Sequence, residues 1–337
     1  MISVAYHDEL KEVQGDAVLA ALLRAPAAAT PFDRIEWWQG LAESCGLLPL
    51  LAVASDGDHR AVLPLLRRGR QIHCLANWYS FRVTPLFTAG ADKAALLYAL
   101  AQDLAGESPH LVLSAIPDED GDAQGLVKAL RKAGWVTTIE PCDVNHVLPV
   151  NGRSFADYIT GRSGALRTTL KRRAGKVDVA IETSFDPASW AIYEAIYAKS
   201  WKGAEGTPAF LRNFAAQEGA AGRLRLAIAR AAGRPVAVQF WTVEGGTAFI
   251  HKLAHAEEAK SLSPGTTLTA ALLEHVIDQD RVDLVDFGTG NDPYKRDWME
   301  QVRPRYRIEA FRAKCPGTWP ALARKALQKV AGGGRDG

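Results

Sequence analysis

The chain has 337 residues, of which 47% are hydrophobic and 23% are charged, and its formal net charge at pH 7 is +2. This composition excludes disordered and fibrous proteins and leaves room for two ordinary globular domains. A net charge so near zero creates no overall field that would attract nucleic acid, so we expect no DNA partner and only local electrostatic selectivity.

The first residues and the cysteines predict the compartment. Acidic rather than basic residues stand near the N-terminus, and the apolar stretch Ala17–Ala29 is short and interrupted by Arg24 and Pro26. We therefore expect neither a secretory signal nor a membrane-spanning helix. The four cysteines lie far apart without the spacing of a zinc site, which predicts free thiols, no metal and a cytoplasmic protein. They are Cys45, Cys74, Cys142 and Cys315.

Hydrophobic periodicity predicts the same order of elements twice along the chain: a strand, two helices, a three-stranded meander, a helix, a strand, a helix and a final strand. In the first half the predicted elements are Ile2–Tyr6, Asp16–Arg24, Asp33–Ser44, Pro49–Ala54, Ala61–Leu66, Gln71–Ala76, Asp92–Leu104, His110–Ala115, Asp122–Ala133 and Val144–Val150. In the second they are Val177–Thr183, Pro187–Trp201, Pro208–Gln217, Leu224–Arg230, Pro235–Val243, Thr247–His255, Thr266–Gln279, Val282–Phe287, a short helix through Tyr294 and the strand Tyr306–Arg312.

This repetition predicts two copies of one α+β domain, at residues 1–150 and 151–312. The second copy starts with a basic helical connector, Ser154–Lys176. Residues 313–337 form a basic amphipathic tail, in which a helix is predicted over Ala321–Val330.

Residues Ser263–Trp298 are the stretch in which several signals agree on a site. Pro264 and Gly265 precede the helix, and the amides of Thr266–Leu268 at its start would have no intrahelical acceptor. Together with the helix dipole they predict an anion-binding site, for which a pyrophosphate is the natural ligand. The alternative is that Ser263 merely caps the helix.

The corresponding helix of the first copy starts with an acid. There the chain reads TAGAD and ends at Asp92, whose charge would repel a phosphate. We therefore expect the first copy to act as scaffold and substrate wall, and the second to hold the working site.

Three motifs carry a resemblance to a known family: HKLAH at 251–255, SPGTTL at 263–268 and DFGTGNDPYKRDW at 286–298. They resemble the core of the CelD/BcsL-type acetyltransferases, a group with tandem GNAT folds that is related to the FemAB peptidoglycan aminoacyltransferases. The resemblance implies two tandem GNAT-like domains, each a mixed, mostly antiparallel sheet flanked by helices, and acyl-CoA as co-substrate. The usual phosphate loop of that fold has more basic and glycine residues than this chain, which leaves acyl carrier protein or aminoacyl-tRNA as alternative donors.

In this fold an amine attacks the acyl thioester directly, so the site needs a base, an oxyanion stabiliser and an acid for the thiolate. Asp286 is the first candidate base, because its apolar neighbours would raise its pKa, and the alternative is that it caps the following turn. His251 is the rival base, although a lone strand histidine is more often a satisfied core residue. Tyr294 is predicted to protonate the thiolate; otherwise it is an aromatic anchor.

The binding residues predicted for the donor are Ser263, Gly265, Thr266, Thr267, Leu268 and Lys295. Lys295 would hold a phosphate or an acidic acceptor, unless it is simply a solvated lysine. The residues predicted for the acceptor are Trp78, Tyr79, Arg167, Arg172, Trp201, Lys252 and Trp298. Arg167 and Arg172 belong to a basic helical face that suits an anionic partner, although such charge runs are usually only solvated.

Three functions remain open. The favoured hypothesis is an acyl-CoA-dependent N-acyltransferase that acts on an amine of a cell-envelope or exopolysaccharide precursor, such as a nucleotide- or lipid-linked amino sugar, at the inner face of an anionic membrane. The second is a FemAB-like aminoacyl-tRNA-dependent transferase, with tRNA the less favoured partner. The third is a non-catalytic GNAT-like assembly or membrane-surface module.

Overall fold

The computed structural model describes residues 1–24, 30–202, 204–320 and 323–324. The first half contains β1 (Ser3–His7), α1 (Leu10–Gly15), α2 (Ala17–Leu22), α3 (Ile35–Cys45), β2 (Pro49–Asp56), β3 (His59–Arg68), β4 (Gln71–Cys74), β5 (Leu86–Phe87), α4 (Lys93–Glu107), β6 (His110–Ile116), α5 (Asp122–Lys132) and β7 (Val136–Pro149). A 3₁₀ turn, Pro31–Asp33, precedes α3.

The second half contains α6 (Phe155–Thr160), α7 (Gly164–Arg173), β8 (Asp178–Glu182), α8 (Pro187–Ala198), α9 (Pro208–Ala220), β9 (Leu224–Ala231), β10 (Arg234–Glu244), β11 (Thr247–His255), α10 (Pro264–Glu274), β12 (Leu284–Thr289), α11 (Pro293–Trp298) and β13 (Gln301–Phe311). A 3₁₀ helix, Glu257–Leu262, precedes α10, a π-helical turn, His275–Gln279, extends it, and a 3₁₀ turn, Pro316–Thr318, follows β13.

The predicted repetition of elements is confirmed, with local differences. The basic connector is two helices, because Gly161 ends α6 and Ser163 caps α7. β7 begins at Val136, well before the predicted Val144. The prediction missed the first part of this strand because most of its residues there are polar or exposed and give no buried-strand pattern. The short helix α1, which gives the described part of the first half three α-helices before β2 instead of the predicted two, and the short strand β5 were not predicted. The predicted helix Ala321–Val330 lies, apart from residues 323–324, outside the described residues.

The strands form one mixed sheet in the order β1-β2-β3-β4-β6-β13-β7-β12-β11-β10-β9-β8, with β5 beside β3. The last strand of each half is exchanged: β13 pairs with β6 of the first half, and β7 pairs with β12 of the second. The two exchanged strands also pair with each other along eleven residues of β13, from Gln301 to Phe311. The two halves are therefore joined edge to edge, and a cut after residue 150 would separate β7 from β12.

A shared hydrophobic core fills the space between the halves. Trp37 of α3 packs edge-on against Phe210 and Phe214 of α9, with ring centroids 5.0 Å apart in both pairs. This core also takes residues from β2 and β3 of the first half and from β9 and β10 of the second. Two further cores lie under α4 and α5, and under α10. Because one core serves both halves, their relative position is fixed by packing as well as by strand exchange.

A buried charge cluster also joins the halves. Arg34, at the start of α3, lies 2.8 Å from Glu218 of α9 and 3.3 Å from Glu244 of β10, and Arg223 lies 2.7 Å from Glu218. Burial raises the pKa of Glu244 to about 7, with the nearby Arg34 acting in the opposite direction. The folded protein therefore holds a proton at Glu244 more tightly than the unfolded chain does.

This cluster predicts a pH-dependent stability. A carboxyl whose folded pKa is raised contributes stability below its unfolded pKa, near 4.5, and loses it as the pH rises through 7. Glu244→Gln should therefore remove a decline in the free energy of unfolding of about 2 kcal/mol between pH 5 and pH 8. Urea denaturation at several pH values measures it, with the exposed Glu257→Gln as control. Parallel curves for wild type and Glu244→Gln would contradict the prediction.

Candidate active site

β11 and β12 separate in the middle of the sheet. These parallel strands pair only where Thr247–Phe249 lie beside Leu284–Asp286. Beyond Phe249 the edge of β11 that faces β12 has no strand partner among the described residues, and β12 continues beside β7. A gap therefore opens at the C-terminal ends of two central strands, where unpaired peptide groups are available to a ligand.

A β-bulge shapes one wall of this gap. In the pairing of β10 with β11, Phe240 lies opposite Lys252 and Trp241 lies opposite Ile250, which leaves His251 as the extra residue. His251 stacks on Phe240, and the ammonium of Lys252 lies 4.6 Å from the centroid of the Tyr79 ring. Strict alternation would send these neighbouring side chains to opposite faces, but the bulge places both on the side of the shared core.

Two pockets flank the gap. The first, which we name the α10 pocket, has a volume of about 320 Å³ and lies between the start of α10, the end of β11, α7 and α11. Its lining includes Leu166, Trp201, Leu253, His255, Lys260, Ser263, Gly265, Thr266, Tyr294 and Trp298. The second, the lysine pocket, has a volume of about 160 Å³. Its lining includes Trp78, Phe81, Lys202, His251, Lys252, Leu253, Gly288, Asp292, Tyr294 and Lys295.

The start of α10 is less open than the sequence predicts. The Ser263 carbonyl accepts hydrogen bonds from the amides of Thr266 and Thr267, at 3.1 and 3.3 Å, and Leu268 is fully buried. The prediction that the amides of Thr266–Leu268 are free is therefore wrong. Among the described residues, only the Gly265 N–H of this first turn has no acceptor, since Pro264 has no N–H.

Ser263 does not cap the helix either. Its backbone is left-handed, with φ of 52°, and its hydroxyl makes no capping hydrogen bond. A non-glycine residue in this conformation is strained, and such strain often occurs at functional sites. The Ser263 hydroxyl and the Gly265 N–H are thus available together in the wall of the α10 pocket.

Tyr294 and Leu253 line both pockets. The Tyr294 ring packs edge-on against Phe287, with centroids 5.6 Å apart, and its hydroxyl makes no hydrogen bond to any described residue. Burial, with the nearby charge of Asp292, raises the pKa of Tyr294 to about 12. At neutral pH this hydroxyl therefore keeps its proton and can donate it across the gap.

Asp286, the first candidate base, lies in neither pocket lining. One carboxylate oxygen accepts from the Gly288 N–H at 2.7 Å and the other from the Asn145 amide at 3.0 Å. Burial raises the pKa of Asp286, in the predicted direction. The carboxylate nevertheless fixes the turn at residues 288–291, where β12 ends, which is the structural alternative that the sequence left open. Only glycine fits at position 288, because its φ is +67° and the Phe81 ring leaves no room for a side chain.

His251, the rival base, lines the lysine pocket but is a weak base. Its Nε2 lies 2.8 Å from the Thr242 hydroxyl, and its ring is stacked on Phe240 with centroids 5.0 Å apart. Burial lowers the pKa of His251 to about 3, and the positive charges of Lys252 and Arg34 act in the same direction. At neutral pH the imidazole is therefore uncharged and has little tendency to accept a proton.

Lys295 lies in the lysine pocket rather than at the start of α10. Its ammonium contacts the carbonyl oxygens of Gly288, Thr289 and Gly290, so its donors are engaged by the turn that forms the pocket wall. Burial lowers the pKa of Lys295. Its predicted role in holding a donor phosphate is therefore not compatible with this position.

The predicted acceptor residues divide between the pockets and the surface. Trp78 lines the lysine pocket, whereas Trp201 and Trp298 line the α10 pocket. Tyr79 lies behind the lysine pocket, where its hydroxyl donates to Glu205 at 2.7 Å. The structure places two predicted residues outside both linings, on the exposed face of α7: Arg167 and Arg172. Leu166 of the same helix reaches the α10 pocket.

Three charged residues near the gap were missed by the sequence analysis. Lys202 and Asp292 line the lysine pocket, and Glu205 lies 3.2 Å from the Lys252 ammonium. Asp292 stands directly before Pro293 at the start of α11, a pattern that predicts only a helix cap. It makes no side-chain cap bond, however, so its carboxylate is available to the pocket.

The helix of the first half that corresponds to α10, which is α4, has no comparable open start. The Asp92 carboxylate accepts the Ala95 N–H at 3.0 Å and so caps α4 itself. Within the described residues, no group of histidine, cysteine and acidic side chains could hold a metal ion. In the same part of the chain, no helix has both the length and the hydropathy needed to cross a bilayer.

Both pockets lie largely within one recognisable stretch of sequence. Residues 162–296 match the family model described as an acetyltransferase (GNAT) domain. The matched stretch contains the diverging strands β11 and β12, the start of α10 and Tyr294. No curated protein sequence matches the chain significantly.

Solved structures share the tandem fold. FemX is 9% identical with a TM-score of 0.62, over 90% of this chain and 96% of its own. L-PGS from Bacillus licheniformis is 11% identical with a TM-score of 0.58, over 94% and 96%. A tandem GNAT protein from the clavulanic acid biosynthesis pathway is 15% identical with a TM-score of 0.54, over 91% and 98%. At these identities the likeness concerns the fold alone.

Proposed function

We propose that the protein is an N-acyltransferase that moves an acyl group from a carrier thioester in the α10 pocket to an amine in the lysine pocket. The observation that carries this proposal is that the two pockets meet at Tyr294 and Leu253, beside the gap between β11 and β12. A thioester carbonyl at this junction would be open to direct attack from the other side. The GNAT domain match supports the reaction class.

The chain's own groups can perform each step. The amine nitrogen forms a bond to the thioester carbon and loses a proton, which the Asp292 carboxylate in the pocket lining can accept. The unpaired edge of β11 offers peptide N–H groups to the oxyanion. The carbon–sulfur bond then breaks, and Tyr294 donates its proton to the leaving thiolate. Asp286 acts as a positioning residue for the turn at Gly288.

Acyl-CoA is the donor that we favour. Its pantetheine arm carries amides that can pair with the open edge of β11 in the manner of an added strand. Its pyrophosphate would lie near the Gly265 N–H, the Ser263 hydroxyl and Lys260, which all line the α10 pocket. A single free amide and one lysine form a smaller anion-binding site than a glycine-rich loop would.

An aminoacyl-tRNA donor is the second candidate, and the surface of α7 favours it. The last turn of this helix carries Lys171, Arg172 and Arg173, and Arg167 is exposed one turn earlier. Since Leu166 of α7 lines the α10 pocket, this basic face lies next to the donor site. A polyanionic carrier could bind there while its aminoacyl end entered the pocket.

The remaining assignments are proposals of the same kind. We propose residues 1–150 as acceptor wall, 151–312 as the donor domain and 313–337 as a basic tail. The acceptor would be an amine of a cell-envelope or exopolysaccharide precursor, linked to a nucleotide or a lipid, and the protein would work in the cytoplasm beside an anionic membrane. Among the described residues, the basic face of α7 offers the positive charge that suits such a membrane.

Titration calorimetry with acetyl-CoA and longer acyl-CoAs tests the donor, and filter binding of aminoacyl-tRNA at two salt concentrations tests the alternative. Acyl-CoA binding with no salt-sensitive tRNA affinity would support the favoured donor. The reverse result would assign the tRNA-dependent reaction. Binding of neither donor by the folded protein would reject the enzymatic proposal and leave an assembly module.

Ser263→Gly separates donor binding from stability. The substitution removes a hydroxyl from the α10 pocket, so we expect donor affinity to fall about tenfold. Glycine also adopts the left-handed backbone without the steric cost of about 1 kcal/mol that serine bears, so stability should not fall. Calorimetry and urea denaturation measure the two effects. Ala232→Gly, a left-handed residue in the distant β9–β10 turn, is the matched control. Unchanged donor affinity in Ser263→Gly would exclude this hydroxyl from the anion-binding site of the α10 pocket.

A further inference from the structure

The lysine pocket has an excess of positive charge. Three lysines and one aspartate line a volume of about 160 Å³, together with the aromatic rings of Trp78 and Phe81. Positive groups brought together in a small pocket repel each other and lose hydration. Such an arrangement is costly unless a ligand relieves it.

The three ammonium groups differ in how they are paired. Lys295 is engaged by the carbonyl oxygens of Gly288, Thr289 and Gly290, at the end of β12. Lys252 has Glu205 at 3.2 Å, but that carboxylate oxygen also accepts from the Tyr79 hydroxyl and the Gly206 N–H. Lys202 has no ion pair with any described residue. Its aromatic contact is with Trp201, 5.6 Å from its ammonium.

The pKa values of Lys202 and Lys252 are both lowered, as expected for ammonium groups that have lost hydration and are incompletely paired. Lys202 is exposed at the mouth of the pocket, but desolvation by its surroundings lowers its pKa to about 8; the charges of Lys252 and Lys295 act in the same direction, and those of Asp292 and Glu205 oppose them. Burial also lowers the pKa of Lys252, against the influence of Glu205. An anion placed between Lys202 and Lys252 would oppose both shifts.

We propose that the amine acceptor carries an anionic group, a carboxylate or a phosphate, which binds between Lys202 and Lys252. This inference rests on the proposed transfer reaction and names the chemical class of its acceptor. The small volume of the pocket admits the anionic group and the amine-bearing part of the acceptor, with Trp78 and Phe81 as walls. Asp292 lies on the same lining, where it can receive the proton of the amine.

The same lysines assist the nucleophile. A primary ammonium next to positive charges loses its proton more readily, so a larger fraction of the bound acceptor is the neutral amine that attacks. This effect matters because the imidazole of His251 is a weak base and the Asp286 carboxylate is engaged by Gly288 and Asn145. The anionic group thus holds the acceptor, while the cations that bind it prepare the amine.

Matched pairs of amines test the proposal with the full-length protein. Glucosamine 6-phosphate and glucosamine form the phosphate pair, and glycine and glycinamide form the carboxylate pair. We expect the anionic member of one pair to have a kcat/KM at least about tenfold higher than its neutral partner. Which pair shows the preference identifies the anion. Calorimetry with the same four amines gives a readout that does not need turnover.

Substitution of Lys202 locates the effect. Lys202→Met should reduce the anionic-to-neutral ratio about tenfold, Lys202→Arg should retain most of it, and Lys199→Met, an exposed lysine at the end of α8, should leave it unchanged. Equal use of both members of each pair, or an unchanged ratio in Lys202→Met, overturns the proposal while the transfer reaction stands. Anion-selective binding that depends on Lys202, in a protein that binds no acyl donor, would overturn the transfer reaction and leave the anion site in place.

Discussion

Tyr294→Phe is expected to lower kcat by about two to three orders of magnitude and to leave the dissociation constant of the acyl donor within about twofold. The substitution removes only the hydroxyl, because the ring can keep its edge-on contact with Phe287. Without that proton the thiolate must leave unprotonated, which raises the barrier for carbon–sulfur cleavage. Steady-state kinetics and calorimetry measure the two quantities.

The pH profile gives this prediction a second readout. Since the pKa of Tyr294 is raised to about 12, the hydroxyl stays protonated throughout the neutral range and should not limit the rate below pH 10. Tyr98→Phe, at a half-buried position of α4 where the hydroxyl accepts a hydrogen bond from the Gln102 amide, is the matched control. A kcat for Tyr294→Phe near that of Tyr98→Phe would remove Tyr294 from the reaction, and an equal loss of donor affinity would make it a binding residue instead.

The order of elements could be predicted because it depends on local signals. Periodicity of 2 or 3.6, helix starts and glycine-containing turns are properties of short segments, and they recur in both halves. The start of α10 shows the limit of such signals. The pattern Ser263-Pro264-Gly265 predicts a helix start, but only the structure shows that the Ser263 carbonyl has already engaged the amides of Thr266 and Thr267.

Features that depend on distant pairing could not be predicted from the sequence. The exchange of β7 and β13 joins strands more than 150 residues apart, and no local pattern specifies it. The bulge at His251 is set by the register between β10 and β11, and it decides that Lys252 faces the lysine pocket. Lys202 and Asp292 come together there only because the loop before α9 meets the start of α11.

The contrast between Asp286 and Asp292 shows how position decides a role. Asp286 lies within β12 and Asp292 follows it, and the apolar neighbours of Asp286 made it the stronger candidate from sequence. The structure places Asp286 under the turn, with both oxygens engaged, and Asp292 in the pocket lining. Burial gives Asp286 the raised pKa expected of a base, but a base must also reach the proton.

Substitution of Asp292 should therefore affect kcat more than stability, whereas substitution of Asp286 should affect stability more than kcat. Asp292→Asn keeps the shape of the pocket and removes the proton acceptor, so we expect kcat to fall about 100-fold with little change in stability. Asp286→Asn should cost less than about tenfold in kcat, because its amide oxygen can still accept from the Gly288 N–H. The new amide nitrogen also has a partner, since the buried Asn145 Oδ1 has no hydrogen bond and can accept from it after a flip of the Asn145 amide.

Asp286→Ala completes the test. It leaves the Gly288 N–H and the Asn145 amide without their acceptor in a buried site, so we expect the free energy of unfolding to fall by about 2–4 kcal/mol and the pocket wall at Gly288 to loosen. Activity should then fall together with thermal stability, and Asp286→Asn should recover both. If Asp286→Asn instead loses about 100-fold in kcat while it stays as stable as wild type, and Asp292→Asn remains active, then Asp286 is the base and the turn must open during the reaction to let its carboxylate reach the amine.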